Sequence, residues 1–192
     1  MINEQLKSNT FWVILQLANP IFVAVAIFLP LGALVYAMRF GALLSLNYVH
    51  VMAGALWTGI DLFMGTVLGP VLGGMEPRDR AGVFKGLMPK MTFLMPTLAT
   101  VTITSGIELA NRFGMFDLTN PWILASGVVV AILTVQGFGI MLPNEIRIFK
   151  QLLSPEPDVE KISRLGMRNA RLGGIQGILQ LSIIFIMANL RF

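Results

Sequence analysis

Residues 43–75 read Leu-Leu-Ser-Leu-Asn-Tyr-Val-His50-Val-Met-Ala-Gly54-Ala-Leu-Trp57-Thr-Gly-Ile-Asp61-Leu-Phe-Met-Gly65-Thr-Val-Leu-Gly69-Pro-Val-Leu-Gly73-Gly-Met75. The run is long enough to cross a bilayer, and it carries the chain's one histidine and a carboxylate. An ionisable side chain at membrane depth costs roughly 2.5–3.5 kcal/mol on insertion scales, so each is a functional candidate and needs a partner. The rest of the chain has the same character: of 192 residues, 55% are hydrophobic and 12% charged. That leaves too little polar surface to cover a water-soluble globule.

Breaking the apolar runs at their charges gives five spans, at residues 11–38, 43–75, 87–113, 121–142 and 173–190. They are expected to be helices, because hydrocarbon offers no water to satisfy backbone groups and the alternation of a barrel strand is absent. The expected fold is therefore all-α, a single polytopic membrane bundle of five transmembrane helices. After span four, residues 143–153 keep Ile146, Phe149 and Leu153 at helical spacing while gaining charge, which reads as an amphipathic extension. Asn19-Pro20 and Pro30 lie within span one, so an irregular or kinked entry is expected there. Residues 1–10 are mixed in charge and the following apolar run is too long for a signal peptide, so span one is read as an anchor.

The net charge is +4, but its distribution says more than its sum. Lys7, then Arg78, Arg80, Lys85 and Lys90, then Arg147, Lys150, Lys161, Arg164, Arg168 and Arg171 share one side of the expected topology. Arg39, Arg112 and Arg191 fall on the other. The positive-inside rule then places the N-terminus inside and the C-terminus outside, in a multi-pass protein of the cell membrane. The cations are thus read as topology rather than as a nucleic-acid footprint. Trp12, Tyr36, Tyr48 and Trp122 sit near span ends as interfacial anchors. The basic stretch 158–172 reads first as a solvated inside loop, with a surface for anionic lipid or for docking as the alternative. Lacking cysteine, the chain has no disulfide, thiolate zinc site, iron-sulfur cluster or covalently attached haem.

At 3.6 residues per turn His50, Gly54, Trp57 and Asp61 return to one helix face within roughly 40 degrees, with Asp61 about 16 Å deeper than His50. The missing side chain at Gly54 leaves room for a flat group or another backbone. A neutral imidazole there can ligate haem iron or copper, relay protons, or merely hold a neighbouring helix by one hydrogen bond. Glu108 matches His50 in depth and would orient its ring, unless it pairs with Arg112 at i, i+4. For Asp61 the expected partner is Lys90, as a structural ion pair or as part of a proton pathway. Met88, Met91 and Met95 form a stripe that suits either packing or copper(I). Gly65, Gly69 and Gly73 are spaced for close helix approach, within the fold, in a homo-oligomer or to other membrane subunits.

The spacing His50-x6-Trp57-x-Gly59, followed by a basic segment, Lys90 and a Thr-rich helix ending Thr104-Ser-Gly106, resembles the copper-resistance D-like superfamily over residues 43–113. That group includes a haem-binding membrane protoporphyrinogen oxidase. The resemblance implies a helical bundle in which His50 ligates haem b, with Trp57 and Gly59 packing the pocket and Lys90 matching a basic residue that opens the third span. This chain has one histidine where the oxidase-type members carry more, and it reads Gly65-Thr-Val-Leu-Gly69-Pro70 in place of their Pro-Arg. The expected function is accordingly a haem b-binding or redox-associated membrane protein, a small subunit of a respiratory or oxidase complex. Copper or proton handling along Asp61, Lys90, the Met stripe and His50 is the alternative, and a non-catalytic accessory subunit is the third.

Overall fold

The computed structural model describes residues 12–190, and these are helical with no strand among them. Five helices are long and apolar enough to cross a membrane: α1 Pro20–Arg39, α2 Leu43–Gly73, α3 Pro77–Arg112, α4 Pro121–Leu152 and α5 Val159–Asn189. The chain is a multi-pass membrane protein. Its outward surface agrees, since Ile21, Phe28, Leu44 and Phe185 are each at least 65% exposed on helix faces suited to lipid contact. Lys7, Arg191 and the first residue of span one lie outside the described residues.

Entry into α1 is irregular, as expected. A helical stretch at 12–18 breaks at Asn19, whose φ of 69° is one that few residues other than Gly, Asn and Asp adopt. The Asn19 side chain then accepts from the amides of Ile21 and Phe22, and Pro20 occupies the first helical position, where its missing N–H costs nothing. Pro30 lies inside α1 without ending it.

Two segments differ from the sequence reading. The basic residues 78–90 are not a loop: α3 starts at Pro77, with Asp79 in its first turn, so Arg78, Arg80, Lys85 and Lys90 ride on the helix itself. Likewise the stretch 158–172 is the first half of α5, opened by Asp158, whose carboxylate accepts from the Lys161 amide. Breaking spans at charges hid both, because a helix continues past the hydrocarbon wherever its backbone bonds do. The amphipathic extension 143–153 is continuous with α4, and its Asn144, Glu145, Ile148 and Phe149 are buried.

α3 packs on α1 and α2, and α5 packs on α2, α3 and α4. One apolar core gathers Leu72, Phe84, Met88, Ile148 and Ile162 at the basic end of the bundle. The other gathers Leu34, Leu46, Trp57, Leu98, Val101 and Leu133 toward the opposite end. α2 and α5 meet backbone to backbone: a Cβ on Gly65 would collide with the Cα of Gly174. Gly65 therefore serves an internal crossing, whereas Gly73 faces open space.

Both α2 and α4 carry a π-helical stretch, Phe63–Leu68 and Gly137–Met141. Such bulges wedge an extra residue into the turn and loosen the regular hydrogen-bond ladder, often at functional sites. Asp61 lies just before the first and Glu145 just after the second.

Candidate functional site

The two bulges flank one cavity of about 80 Å³ between α2, α3, α4 and α5. Asp61 and Glu145 both line it, together with the thioethers Met64, Met88, Met91, Met95 and Met141, and with Trp57, Asn169 and Gln176. Among the described residues no Lys, Arg or His lines it. The chamber is large enough for more than one water.

Asp61 is 1% exposed. Gln180 Nε2 donates to its Oδ2 at 2.9 Å. Gly173 makes the room: a Cβ there would stand 3.2 Å from Asp61 Oδ1. Gln180 is itself buried, and its Oε1 has no partner among the described residues. Carboxyl and orphaned amide oxygen together make a site with acceptors to spare. At the other end of the cavity the Thr92 hydroxyl lies 2.6 Å from Glu145 Oε2 and 3.0 Å from the carbonyl of Met88. It has one hydrogen for two acceptors, and the shorter contact is the one to the carboxyl.

A ladder of buried amides ties α4 to α5 beside the chamber. Gln136 Nε2 donates to the Leu172 carbonyl at 2.8 Å, and Gln176 Nε2 returns a bond to the Leu133 carbonyl at 3.2 Å. Asn144 Nδ2 donates to Asn169 Oδ1, and Asn169 Nδ2 to the carbonyl of Met141 inside the second bulge. Asn169, Gln176 and Gln180 are spaced by seven and four residues on α5, which puts them on one helix face. These residues and Glu145 were missed in sequence. Gln136, Gln176 and Gln180, isolated amides inside apolar runs, were the signal that points to them.

Lys90 does not meet Asp61. Its ammonium donates to the Gly86 carbonyl one turn back, at 3.0 Å, while the Asp61 carboxyl faces α5. Lys90 is on α3, whereas the partner of Asp61 comes from α5. Met88, Met91 and Met95 do converge with Asp61 on the chamber.

His50 occupies a different place. Its Nδ1 lies 2.9 Å from the carbonyl oxygen of Thr102 and 3.2 Å from Ser105 Oγ. A carbonyl can only accept, so Nδ1 carries the hydrogen and Nε2 keeps the lone pair. Ser105 donates its own proton to the Val101 carbonyl at 2.6 Å, so its oxygen receives from the ring. Around the imidazole the space is taken. The ring sits over Gly106, where a Cβ would stand 2.8 Å from Cε1, and the Thr102 methyl closes the gap at Gly54. Nε2 is the ring nitrogen left without a hydrogen bond among the described residues, and the flat slot expected at Gly54 is filled by Thr102 of α3.

Glu108 turns away from His50 to pair with Arg112 Nε at 2.7 Å, and Arg112 Nη2 donates to the Met38 carbonyl at the end of α1. This is the i, i+4 alternative, fixed by the position of Arg112 against the C-terminal carbonyls of α1. Trp57 joins Asp61 on the cavity rather than His50. Among the described residues no three His, Cys, Asp or Glu side chains gather as a metal site. Comparison with family models, with curated proteins and with solved structures finds no match for this chain.

Proposed function

We propose that this membrane protein handles a small cation inside the bilayer, with Asp61 and Glu145 as the charge-bearing groups of one chamber. The observation that carries this reading is that both carboxyls line the same cavity with only neutral donors beside them. A buried carboxylate with no ionic partner is costly in an apolar interior, so its charge is offset by a proton or by a bound cation. The orphaned Gln180 oxygen adds a further acceptor next to Asp61. Thioethers are soft ligands, so the cations this lining suits are the proton and copper(I).

Flux in proteoliposomes tests it. Proton or copper(I) entry is expected for the native chain, and Asp61→Asn and Glu145→Gln should each reduce it at least tenfold while the protein stays folded. If Met91→Leu with Met95→Leu also abolishes copper entry, the metal is the cargo; if proton flux survives that pair, the proton is. Absence of both fluxes in a folded native protein overturns the reading.

A second reading keeps His50 as an axial ligand of haem b, as the resemblance to the copper-resistance D-like group implies, in a redox-associated subunit of a larger membrane complex. What supports it is the bond from Nδ1–H to the Thr102 carbonyl, the usual partner of a metal-bound histidine, which leaves Nε2 as the free nitrogen. Haem bound there would supply one-electron chemistry; the chain's part is to hold the ring tautomer through Thr102 and Ser105. A Soret band that shifts on reduction and disappears in His50→Ala is the expected result. A colourless, folded preparation from haem-replete cells rejects it.

A further inference from the structure

At the basic end, α3 and the first half of α5 enclose an open groove of about 610 Å³. Four guanidiniums line it: Arg80 from α3, and Arg164, Arg168 and Arg171 from α5. The three on α5 are spaced by four and three residues, so they share one face. Glu160 is the one acid on the lining, and it makes no ion pair there: the ion pair found among the described residues joins Glu108 and Arg112 at the other end of the bundle.

Stacking like charges on one helix face is unfavourable, and among the described residues no ion pair offsets them. Arg80 sharpens the point. Its Nη2 is spent on the Met75 carbonyl at 2.8 Å, and its Nε is buried with no partner among the described residues, so the guanidinium's hydrogen-bonding capacity is only partly used. Arginine forks match phosphate oxygens better than point charges do. The groove also lies at a telling height. Arg171 and Leu172 both line it, and the apolar part of α5 begins at the next residue, so cation and hydrocarbon-facing surface adjoin at the membrane boundary.

We propose that this groove is a binding site for the phosphate of an anionic phospholipid headgroup, held by Arg80, Arg164, Arg168 and Arg171. A free phosphate ion would use the same guanidiniums but would gain nothing from Met167 and Leu172, which give the groove its apolar side. The positive-inside bias alone calls for scattered cations, not for four converging on one hollow.

The test uses the full chain in neutral detergent, titrated with phosphatidylglycerol, phosphatidylcholine or inorganic phosphate, with melting temperature and lipid retained in native mass spectrometry as the two readouts. Phosphatidylglycerol should raise the melting temperature and remain bound; the other two should do neither. Arg164→Gln with Arg168→Gln should weaken retention about 30-fold, at the usual value of a cation near an anionic surface. Arg147→Gln with Lys150→Gln, cations of the same end that do not line the groove, should weaken it less than threefold. Equal retention of phosphatidylcholine overturns the site, as does an equal loss in the two double variants, which would mean diffuse attraction. Stabilisation by inorganic phosphate alone overturns the lipid assignment. Should the first double variant fail to fold, Arg171→Gln alone carries the same retention comparison.

Discussion

His50 and Asp61 lie on one helix, three turns apart, and the fold treats them in opposite ways. Around His50 the polar groups close on themselves within α1, α2 and α3: the ring is held by Thr102 and Ser105, and Glu108 by Arg112, which also caps α1. Around Asp61 they do not close. The carboxyl takes a neutral amide from α5, Glu145 takes a hydroxyl from α3, and one amide oxygen is left over. His50 is fixed from one side by main chain and hydroxyl, whereas the two carboxyls keep spare acceptors on the lining of a cavity, where an unmatched polar group is costly. That difference is why the cation reading rests on the chamber.

The largest effect is expected where α2 meets α5, because the chamber exists only while that crossing holds. Gly174→Leu would push a side chain into a helix whose backbone is already in contact, since even a Cβ on the facing Gly65 has no room. Overpacking of this kind costs typically 1–3 kcal/mol and, against immovable backbone, at least ~3. Loss of the monodisperse folded peak in size-exclusion chromatography is the expected outcome. Gly73→Leu, at an open position of the same glycine series, should leave that peak unchanged. If both variants fold alike, the crossing is not what builds the chamber.

Next in size is the Asp61 and Gln180 pair. Asp61→Leu leaves the buried Gln180 amide with neither end bonded, an expected loss of ~1–3 kcal/mol. Adding Gln180→Leu removes both polar groups and should recover most of that loss, because a matched apolar pair is close to neutral. Thermal unfolding in detergent reads both. A double variant less stable than the single would show that further groups depend on Gln180. Arg112→Gln probes the closed end and should cost less, about 1 kcal/mol. The i, i+4 ion pair is part-exposed and worth a few tenths, so most of the effect is the lost bond to the Met38 carbonyl.

How much of this the sequence discloses follows from the same contrast. Five spans, the break at Asn19-Pro20 and the Glu108 to Arg112 pair are local in the chain, and spacing alone reaches them. Asp61 and Gln180 are 119 residues apart, and no periodicity within α2 says which helix lies opposite. The stripe of His50, Gly54, Trp57 and Asp61 is a true helix face, but it meets α3 at one end and the chamber beside α5 at the other, because packed helices cross. The π stretches then alter the register beyond Asp61 and before Glu145, where a uniform 3.6-residue count no longer applies. Lys90 was the nearest cation by depth, and depth is not facing.

The smallest effect lies in the loop that joins α3 to α4, and it carries local closure to its limit. Asp117 is fully exposed, yet the Thr119 amide and hydroxyl donate to its two oxygens at 2.8 and 2.7 Å. These bonds hold its carboxyl below the ordinary aspartate range. The sign follows: a lowered value means that the bonds favour the folded loop at pH above the ordinary aspartate value, and that this contribution fades as pH falls through the lowered one. Thr119→Val keeps the amide donor and removes the hydroxyl, so the Asp117 midpoint should rise toward the ordinary range without reaching it. Carboxyl chemical shifts followed by NMR on labelled protein read that midpoint directly. An unchanged midpoint would mean that the backbone amide alone sets it, and that even in the loop the decisive partner is main chain, as it is for His50.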